Sequence, residues 1–439
     1  MTRTSLLVSI GLLLAAQSNT VSAAISDAAL NEATRAVTPE VVAWRRDFHA
    51  NPELGNREVR TSRIVADQLR KLGLEVRTGI AHTGVVGILK GAQPGPTVAL
   101  RADMDALPVT ERVDVPFKST VTTEYRGEKV GVMHACGHDS HTAMLLGAAK
   151  VLAGMKQNLP GTVIFFFQPA EEGAPEGERG GASLMLDEGL FKDPKPDAVF
   201  GMHVFSTLNV GQVGYRSGPL MAGSDWFRIV VHGQQTHGAR PWGGVDPIVT
   251  ASQIVLGLQT IVSRQVDITK YPVVVSVGAI KGGIRNNIIP DSVELVGTFR
   301  TFDPKVRSDV IERIKRIATD TAAAAGTTAD FQLGPDPNPV LANDPDLTTR
   351  AVASLQRVAG RENMVLMPFQ TVSEDFAWYG QKVPSFYFFV GSTPKGKDAA
   401  TAPSNHSPLF FLDEGALPLG LREMLGVTVD FLQGGPPAP

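Results

Sequence analysis

The sequence predicts an α/β fold in which a central mixed sheet carries helices on both faces and a ferredoxin-like domain is inserted into the chain. Two observations predict it. Strand-like and helical segments alternate up to about residue 218, and the order then changes to β-α-β-β-α-β until about residue 333. After residue 333 the chain returns to the first pattern, so the smaller domain interrupts the larger one.

The first part of the chain shows two helices before its sheet begins. Thr38-Pro39-Glu40 combines a capping threonine, a proline at a first helical position and an acid in the first turn, which predicts a helix start. A second helix is predicted from Arg57 to Leu72, ending at Gly73. Buried strands are predicted at 97–100, 162–167 and 197–202, with a helix at 138–155.

The inserted segment has its own order of elements. Strands are predicted at 225–233, 271–280, 291–300 and 327–333, and helices at 246–264 and 304–325. A final helix and strand pattern follows at 347–359, 383–390 and 415–431. We therefore expect a first catalytic part at 24–218, an insertion at 219–333, a second catalytic part at 334–434 and a disordered tail at 435–439.

Composition limits the classes of function. The chain has 439 residues, of which 43% are hydrophobic, and 41 basic residues stand against 44 acidic ones. No basic stripe is present, so nucleic acid is not an expected partner. The single cysteine, Cys136, excludes an intrachain disulfide.

The first residues have the pattern of a secretory signal peptide. Arg3 is followed by an apolar run from Leu6 to Ala16 and by Val21-Ser22-Ala23, a small-residue cleavage site. The run is too short to span a bilayer. We therefore expect a mature protein that starts at Ala24, is periplasmic or secreted and has no membrane anchor.

Candidate metal ligands concentrate in one stretch and at the ends of predicted strands. His134, His138 and His141 surround Cys136 in HACGHDSH, and imidazole and thiolate are good zinc ligands. Alone, this cluster is equally compatible with structural packing. Two more positions follow buried strands, where α/β sheets bind ligands: the pair Glu171-Glu172 and His203.

Several long motifs in this order resemble the family of co-catalytic metallopeptidases and amidohydrolases that includes aminoacylases and hippurate hydrolase. The resemblance covers nearly the whole mature chain and is most specific for the branch of N-acyl-amino-acid and auxin-conjugate amidohydrolases. It rests on RADMDALPV, MHACGHDSHTAMLLGAA, QPAEEG, GMHV, NIIPDSVELVGTFR, SEDFAWY and NHSPLF.

The resemblance implies a zinc-exopeptidase-like catalytic domain with two divalent metal ions, zinc, manganese or cobalt, and a set of site residues. The implied ligands are Cys136, His138, Glu172, His203 and His406, with Cys136 shared between the ions. Glu171 is implied as the general base. Asp103 is implied to orient a histidine or the base, although a strand-end cap explains it equally well.

The resemblance also gives the inserted domain a role as lid and dimerisation domain. His237 is implied to stabilise the oxyanion in the active site of the partner subunit, and Asn287 and Arg300 to hold the substrate carboxylate. Arg300 is equally compatible with a surface strand position. Arg240-Pro241-Trp242 and the polar stretch 393–404 depart from the branch pattern, which leaves the acyl specificity open.

We therefore expect an exported amidohydrolase that cleaves N-acyl-amino acids of hippurate, acetyl or indoleacetyl type and acts as a homodimer. One alternative keeps the same site and makes it a carboxypeptidase or dipeptidase. A second makes Cys136 a thiol nucleophile paired with His138 or His141. A third is a periplasmic binding protein without catalysis.

Overall fold

The computed structural model describes residues 24–335 and 337–435. The helices are α1 (Asp27–Ala50), α2 (Val59–Lys71), α3 (His138–Gly154), α4 (Gly181–Asp187), α5 (Pro247–Thr260), α6 (Pro304–Ala324), α7 (Pro345–Ala359), α8 (Ala377–Gly380) and α9 (Ala416–Leu432). The strands are β1 (Glu75–Ile80), β2 (Gly84–Lys90), β3 (Gln93–Asp103), β4 (Thr122–Tyr125), β5 (Glu128–Gly131), β6 (Pro160–Gln168), β7 (Ala198–Asn209), β8 (Val213–Tyr215), β9 (Gly218–Met221), β10 (Gly223–His232), β11 (Thr236–His237), β12 (Val274–Gly282), β13 (Ile288–Ile289), β14 (Ser292–Thr301), β15 (Thr328–Leu333), β16 (Leu341–Asn343), β17 (Met364–Leu366) and β18 (Ser385–Thr393). The predicted signal segment lies outside the described residues, as does the predicted disordered tail apart from Gly435.

The large sheet has eight strands in the order β1-β2-β6-β3-β7-β18-β8-β17. Its central strands β6, β3, β7 and β18 are parallel to one another. The pairs β1–β2, β2–β6 and β8–β18 are antiparallel. The chain moves from β3 to β6 on one side and later to β7 on the other. This change of direction at β3 is the topological switch point where α/β sheets bind ligands.

Helices cover both faces of the large sheet. The cluster on one face joins residues of α1, α3, α7 and α9, including Val41, Leu145, Leu355 and Leu421. The cluster on the other face contains Met185 of α4 and Tyr379 of α8. The predicted α/β class with a mixed sheet and helices on both faces is therefore confirmed.

The inserted segment forms a separate sheet of four strands in the order β12-β14-β10-β15. All three strand pairs are antiparallel, and α5 and α6 pack on one face through a core of their own. This is the arrangement expected of a split β-α-β-β-α-β unit. The domain boundaries at residues 219 and 333 stay a prediction, although the four strands lie between them.

The predicted helix start at Thr38-Pro39-Glu40 is wrong. α1 begins eleven positions before Thr38, where the Ser26 hydroxyl accepts a hydrogen bond from the first turn, and it continues through Pro39. Proline has no backbone N–H to donate to the hydrogen bonds of a helix interior. The buried stripe of α1, however, contains residues both before and after Pro39. Packing of this stripe outweighs the local cost; its members are Leu30, Thr34, Val37, Val41, Arg45, Phe48 and His49.

In the part of the chain that the structure describes, no helix is both long enough and apolar enough to cross a membrane.

Candidate metal centre

The strand ends bring the acidic candidates to one edge of the large sheet. β3 ends at Asp103, and Asp105 follows two positions later, while β6 ends just before Glu171-Glu172. β7 pairs with β3 only as far as Gly201, so His203 extends beyond the paired region at the same edge. The carboxyl ends of neighbouring parallel strands therefore meet at this point.

The loop before α3 requires a glycine between its two candidate ligands. Gly137 has a φ of 96°, and a Cβ on it would lie 2.4 Å from Val204 Cγ2. Any other residue would both adopt a disfavoured backbone conformation and collide with β7. The close approach brings Cys136 Sγ within 3.2 Å of His203 Nε2.

The turn that carries the two glutamates is fixed by buried carboxylates. Ala170 has a φ of 51°, and its backbone N–H donates to Glu58 Oε1 at 2.9 Å. The backbone N–H of Glu172 donates to Asp105 Oδ2 at 2.9 Å. These two bonds hold the turn in a conformation that alanine disfavours.

His406 is brought to the same place by a loop of the last part of the chain. Its φ is 72°, and its backbone N–H donates to Ala135 O at 2.8 Å. The neighbouring Asn405 donates its side-chain amide to Cys136 O at 3.0 Å and to Val204 O at 3.1 Å. Asn405 thus joins the loop to both of the elements that carry Cys136 and His203.

Five predicted ligands fall into two sets that share one residue. Donor atoms of Cys136, His138 and His203 lie within 4.8 Å of one another, and so do those of Cys136, Glu172 and His406. Glu172 Oε1 lies 3.0 Å from His406 Nε2. Cys136 is common to both sets, which is the arrangement expected of a bridging ligand between two ions.

Three observations show that these residues fit bound metal. His138 is fully buried, and its Nε2 has no hydrogen-bond partner among the described residues. His138 Nδ1 is held by Asp105 O at 2.8 Å and Asp105 Oδ1 at 3.2 Å, which turns Nε2 toward the cluster. His203 donates Nδ1–H to Val204 O at 2.7 Å, leaving Nε2 as a lone-pair donor beside Cys136.

The thiol supports the same conclusion. Burial raises the pKa of Cys136 well above its usual value, and the carboxylates of Glu172 and Glu171 raise it further. A thiolate nucleophile needs the opposite surroundings, in which the pKa is depressed. A thiolate is favourable here when cations are bound, because thiolate, imidazole and carboxylate are all zinc ligands.

Glu171 lies beside the donors within a group of buried carboxylates. Its Oε2 is 4.0 Å from His138 Nε2, and it lies within 4.8 Å of Glu374 and Asp375. Burial raises the pKa of Glu171 well above its usual value, and the neighbouring acids Glu374, Glu172 and Asp375 raise it further. These surroundings increase the basicity of Glu171, as a general base requires.

The family model of Peptidase family M20/M25/M40 matches residues 99–422. The chain belongs to this family. Thermostable carboxypeptidase 2 of Saccharolobus solfataricus is 42% identical over 87% of this chain and 92% of its own length. IAA-amino acid hydrolase ILR1-like 4 of Arabidopsis thaliana is 41% identical over 87% of this chain and 83% of its own length.

A solved structure extends the likeness to three dimensions. The YXEP protein of Bacillus subtilis, a dinuclear metal binding peptidase from the M20 family, superposes with a TM-score of 0.75 at 35% identity. The match covers 91% of this chain and 99% of that protein. This M20 chain is thus a metal-dependent hydrolase of amide or peptide bonds with a dinuclear metal site. The predictions of the family, of an enzyme and of two divalent ions are confirmed.

Arg101 is a buried cation of this M20 site that was not predicted. It is 1% exposed, and its guanidinium lies 2.5 Å from Asp103 Oδ2, 2.9 Å from Glu374 Oε1 and 3.1 Å from Asp375 Oδ1. Asp375 keeps a pKa of about 8, raised by burial and by Glu374 against the opposing effect of Arg101. Arg101 therefore offsets the acids behind the metal donors.

Asp103 and His141 support the site from behind. Asp103 Oδ1 accepts Nδ1–H of His141 at 2.6 Å, and His141 Nε2 accepts Val204 N–H at 2.9 Å. Both nitrogens of His141 are thereby used. His134 is fully buried with a pKa lowered to about 4 by burial, so it is neutral. The residue that orients the candidate ligand His138 is Asp105, which sequence reasoning missed.

The three residues predicted on the inserted domain do not belong to the candidate ligand sets. His237 and Asn287 are exposed and adjacent on the β11–β13 ribbon, where Gly238 N–H donates to Asn287 O at 2.8 Å. Arg300 is half-buried on β14, and its Nη1 donates to Thr298 Oγ1. Within the described residues, none of the three forms a hydrogen bond or ion pair with the donor cluster.

Two cavities flank the turn that carries Glu171 and Glu172. One has a volume of about 530 Å³ and opens beside Asp105 and Glu172. The other has a volume of about 260 Å³ and is lined by both glutamates and by Asp375. Of the five predicted ligands, Glu172 lines both cavities.

Proposed function

We propose that this chain is an exported metal-dependent amidohydrolase that cleaves N-acyl-amino acids of hippurate, acetyl or indoleacetyl type to a carboxylate and a free amino acid. The observation that carries the proposal is the pair of donor sets that share Cys136, with Glu171 beside them. The likeness to an IAA-amino acid hydrolase supports an N-acyl-amino acid as substrate.

We assign Glu172 and His406 to one ion, His138 and His203 to the other, and Cys136 to both. The ions are zinc, manganese or cobalt, because mixed thiolate, imidazole and carboxylate donors accept each of these metals. When bound, they supply Lewis acidity and lower the pKa of a water molecule. The chain's own contribution is to hold the five donors in place and to exclude bulk water from the buried side of the cluster.

Glu171 acts as the general base and then as the general acid. It is placed to take a proton from the attacking water and to deliver it to the leaving nitrogen. The raised pKa of Glu171 agrees with this second step, because it favours the protonated carboxyl that donates to the leaving nitrogen. Glu374 and Asp375 contribute by making the charged form of Glu171 less favourable.

The inserted domain completes the site from a second subunit. His237 accepts the Ala239 N–H at Nδ1 at 3.0 Å, which turns its Nε2–H outward as an oxyanion donor. Asn287 lies next to it and is suited, together with the cationic Arg300, to bind the substrate carboxylate. Because, within the described residues, none of them forms a hydrogen bond or ion pair with the donors of its own chain, we assign them to the partner's active site in a homodimer.

Exposed apolar residues on the inserted domain support the homodimer. α5 exposes Leu256 at 71% and Val249 at 54%, and the edge strand β12 exposes Ile280 at 58%. An apolar edge strand that remains uncovered favours association. Sedimentation velocity is expected to give a dimer that dissociates in the Leu256→Asp variant, and a monomeric wild type would contradict the assignment.

Export is proposed from the first 23 residues alone. Cell fractionation followed by N-terminal sequencing tests it. The expected result is periplasmic or secreted protein that begins at Ala24, and cytoplasmic protein that keeps Met1 would contradict export.

A carboxypeptidase is the second candidate, because a relative that is 42% identical carries that name. A substrate panel decides between the two. Protein stripped of metal by a chelator and resupplied with zinc, manganese or cobalt is offered acetyl-, benzoyl- and indoleacetyl-amino acids beside dipeptides. Release of amino acid mainly from the acyl-amino acids supports the amidohydrolase, and release only from peptides supports the carboxypeptidase.

A further inference from the structure

Glu58 is a buried acid whose side chain contacts the turn that carries the proposed base. The side chain is fully buried, and its Oε1 accepts the backbone N–H of Ala170 at 2.9 Å. Its Oε2 accepts the hydroxyl of Thr83 at 2.6 Å. A buried carboxyl is costly unless its oxygens are paired, and here both oxygens accept a hydrogen bond. One of these two bonds ends at the residue directly before Glu171.

Another residue caps α2 in place of Glu58. Glu58 stands just before α2, where an acidic side chain commonly accepts the backbone N–H groups of the first helical turn. Among residues 24–335 and 337–435, its side chain makes no such bond. The carboxylate of Glu53 accepts the N–H groups of Arg60 and Thr61 instead, at 2.9 and 2.8 Å. The side chain of Glu58 is therefore not needed by its own helix and can contact the turn.

The backbone of Ala170 depends on the contact with Glu58. Ala170 is 3% exposed, and its φ of 51° lies in the left-handed region, which alanine disfavours. Without its acceptor, the buried N–H would be unpaired, and the peptide groups around Ala170 would rotate toward an ordinary conformation. Because Glu171 follows directly, this rotation would redirect the side chain of the base.

The hydrogen bonds on the two sides of Glu171 support different residues. Before it, Glu58 holds Ala170. After it, Asp105 Oδ2 accepts the backbone N–H of the candidate ligand Glu172 at 2.9 Å. Loss of the Glu58 contact therefore leaves Glu172 attached to Asp105, so the effect falls on the base and not on the ligand.

A neutral side chain with an acceptor oxygen suits the position of Glu58. Burial, followed by the neighbouring carboxylate of Asp105, raises the pKa of Glu58 to about 8, against the opposing effect of the hydrogen bonds from Thr83 and Ala170. Glutamine keeps an acceptor oxygen for the Ala170 N–H, and its amide donates to a hydroxyl such as that of Thr83. Methionine keeps the length of the side chain and removes both acceptors.

We propose that Glu58 is a positioning residue that holds Glu171 in its catalytic orientation through the backbone of Ala170. It acts on proton transfer and not on metal binding. This inference rests on the proposed function, because it requires Glu171 to be the general base.

The test measures kcat, KM and bound metal for the metal-loaded full-length protein with the best substrate of the panel. Glu58→Met is expected to lower kcat by about ten- to a hundredfold, because a displacement of about 1 Å at a catalytic group has effects of this size. KM and metal content are expected to stay close to those of the wild type. Glu58→Gln is expected to restore most of kcat.

Glu423→Met is the matched control. Glu423 is also a fully buried acid, and it lies on α9, outside the two donor sets. This variant is expected to keep the kcat of the wild type. Thermal melting checks that each variant is folded.

Thr83→Val keeps the test decisive where Glu58→Met does not fold. Valine has the shape of threonine and lacks the hydroxyl that fixes Glu58 Oε2. The variant is expected to lower kcat by about two- to tenfold. An unchanged kcat in folded Thr83→Val would then overturn the inference.

A double-mutant cycle separates positioning from general damage to the site. In the Glu171→Gln background the base is absent, so Glu58→Met is expected to lower the residual turnover by less than about twofold. A residue that supports the fold or the metal ligands would lower turnover equally in both backgrounds.

The outcomes distinguish the inference from the proposed function. An unchanged kcat in Glu58→Met, a loss that follows the loss of metal, a Glu58→Gln variant as slow as Glu58→Met, or equal losses in both backgrounds overturns the inference and leaves the amidohydrolase standing. A Glu171→Gln variant with full turnover overturns the proposed base, and the inference with it.

Discussion

Cys136 Sγ lies 3.2 Å from His203 Nε2, where the loop before α3 meets β7. This contact joins two elements that are separated by the whole of α3 and β6. Cys136 is the only cysteine of the chain, is buried, and belongs both to the set with His138 and His203 and to the set with Glu172 and His406. Because Cys136 belongs to both sets, its loss is expected to affect the binding of both ions.

Replacing Cys136 by serine is expected to lower the content of both metals, because a hydroxyl is a weaker ligand than a thiolate for zinc. Elemental analysis after dialysis measures the effect. In the wild type, a thiol reagent is expected to modify the chelator-stripped protein much faster than the metal-loaded protein. Full metal occupancy in Cys136→Ser would count against the bridging assignment.

Replacing Glu171 by glutamine is expected to leave metal content unchanged and to lower kcat by about a hundredfold to ten-thousandfold, because the amide cannot transfer the proton. Elemental analysis and release of amino acid measure the two effects separately. Glu128→Gln on the exposed part of the β4–β5 hairpin is the control. A variant that loses its metal together with its turnover would show that Glu171 is a ligand.

Replacing Asp105 by asparagine is expected to weaken metal binding by about ten- to a hundredfold, because supporting carboxylates orient ligating histidines. The amide cannot accept hydrogen bonds from both His138 Nδ1 and the Glu172 backbone N–H, as Asp105 does. Competition with a chromophoric chelator measures the affinity. The exposed Asp114→Asn serves as control, and equal affinities for the two variants would contradict the role.

Glu423 on α9 is expected to destabilise the protein as pH rises. It is fully buried, and neither carboxylate oxygen has a hydrogen-bond partner among the described residues. Burial raises the pKa of Glu423 well above the ordinary value of 4.5, and Arg422 opposes part of this effect. The unfolded chain then loses its proton at lower pH than the folded chain, so stability falls as pH increases above about 4.5.

The Glu423→Gln variant is expected to match the wild type in stability near pH 4.5 and to exceed it by about 1–3 kcal/mol at pH 8. Denaturant unfolding at a series of pH values measures the difference. Glu312→Gln, on the exposed face of α6, is the control. Parallel stability profiles for wild type and Glu423→Gln would show that this carboxyl keeps an ordinary pKa.

The sequence predicted best those features that depend on local pattern. The helices predicted from residues 246 and 304 begin at Pro247 and Pro304 in the structure, and the helix predicted from His138 begins there. Pro39 misled the prediction, because its local preference for a helix start is outweighed by the packing of α1 along its whole length. A single sequence does not show how strongly packing against residues far away in the chain stabilises a helix.

The site was predictable where its residues belong to dense motifs and less so where distant segments meet. HACGHDSH and the Glu171-Glu172 pair stand out by composition, whereas Asp105 lies two positions beyond Asp103 in the same motif. Only the folded chain shows that Asp105, and not Asp103, forms the hydrogen bond with His138. Glu374 and Asn405 lie in the motifs SEDFAWY and NHSPLF, but neither was given a role, since each acts through a contact with a segment far away in sequence.

A titration of metal into chelator-stripped protein, with bound metal and release of amino acid followed together, decides whether the site needs two ions. We expect the stripped protein to be inactive, and turnover of an N-acyl-amino acid to reach its maximum only when two ions are bound to each chain. Full turnover without metal, or with a single ion per chain, would contradict this expectation.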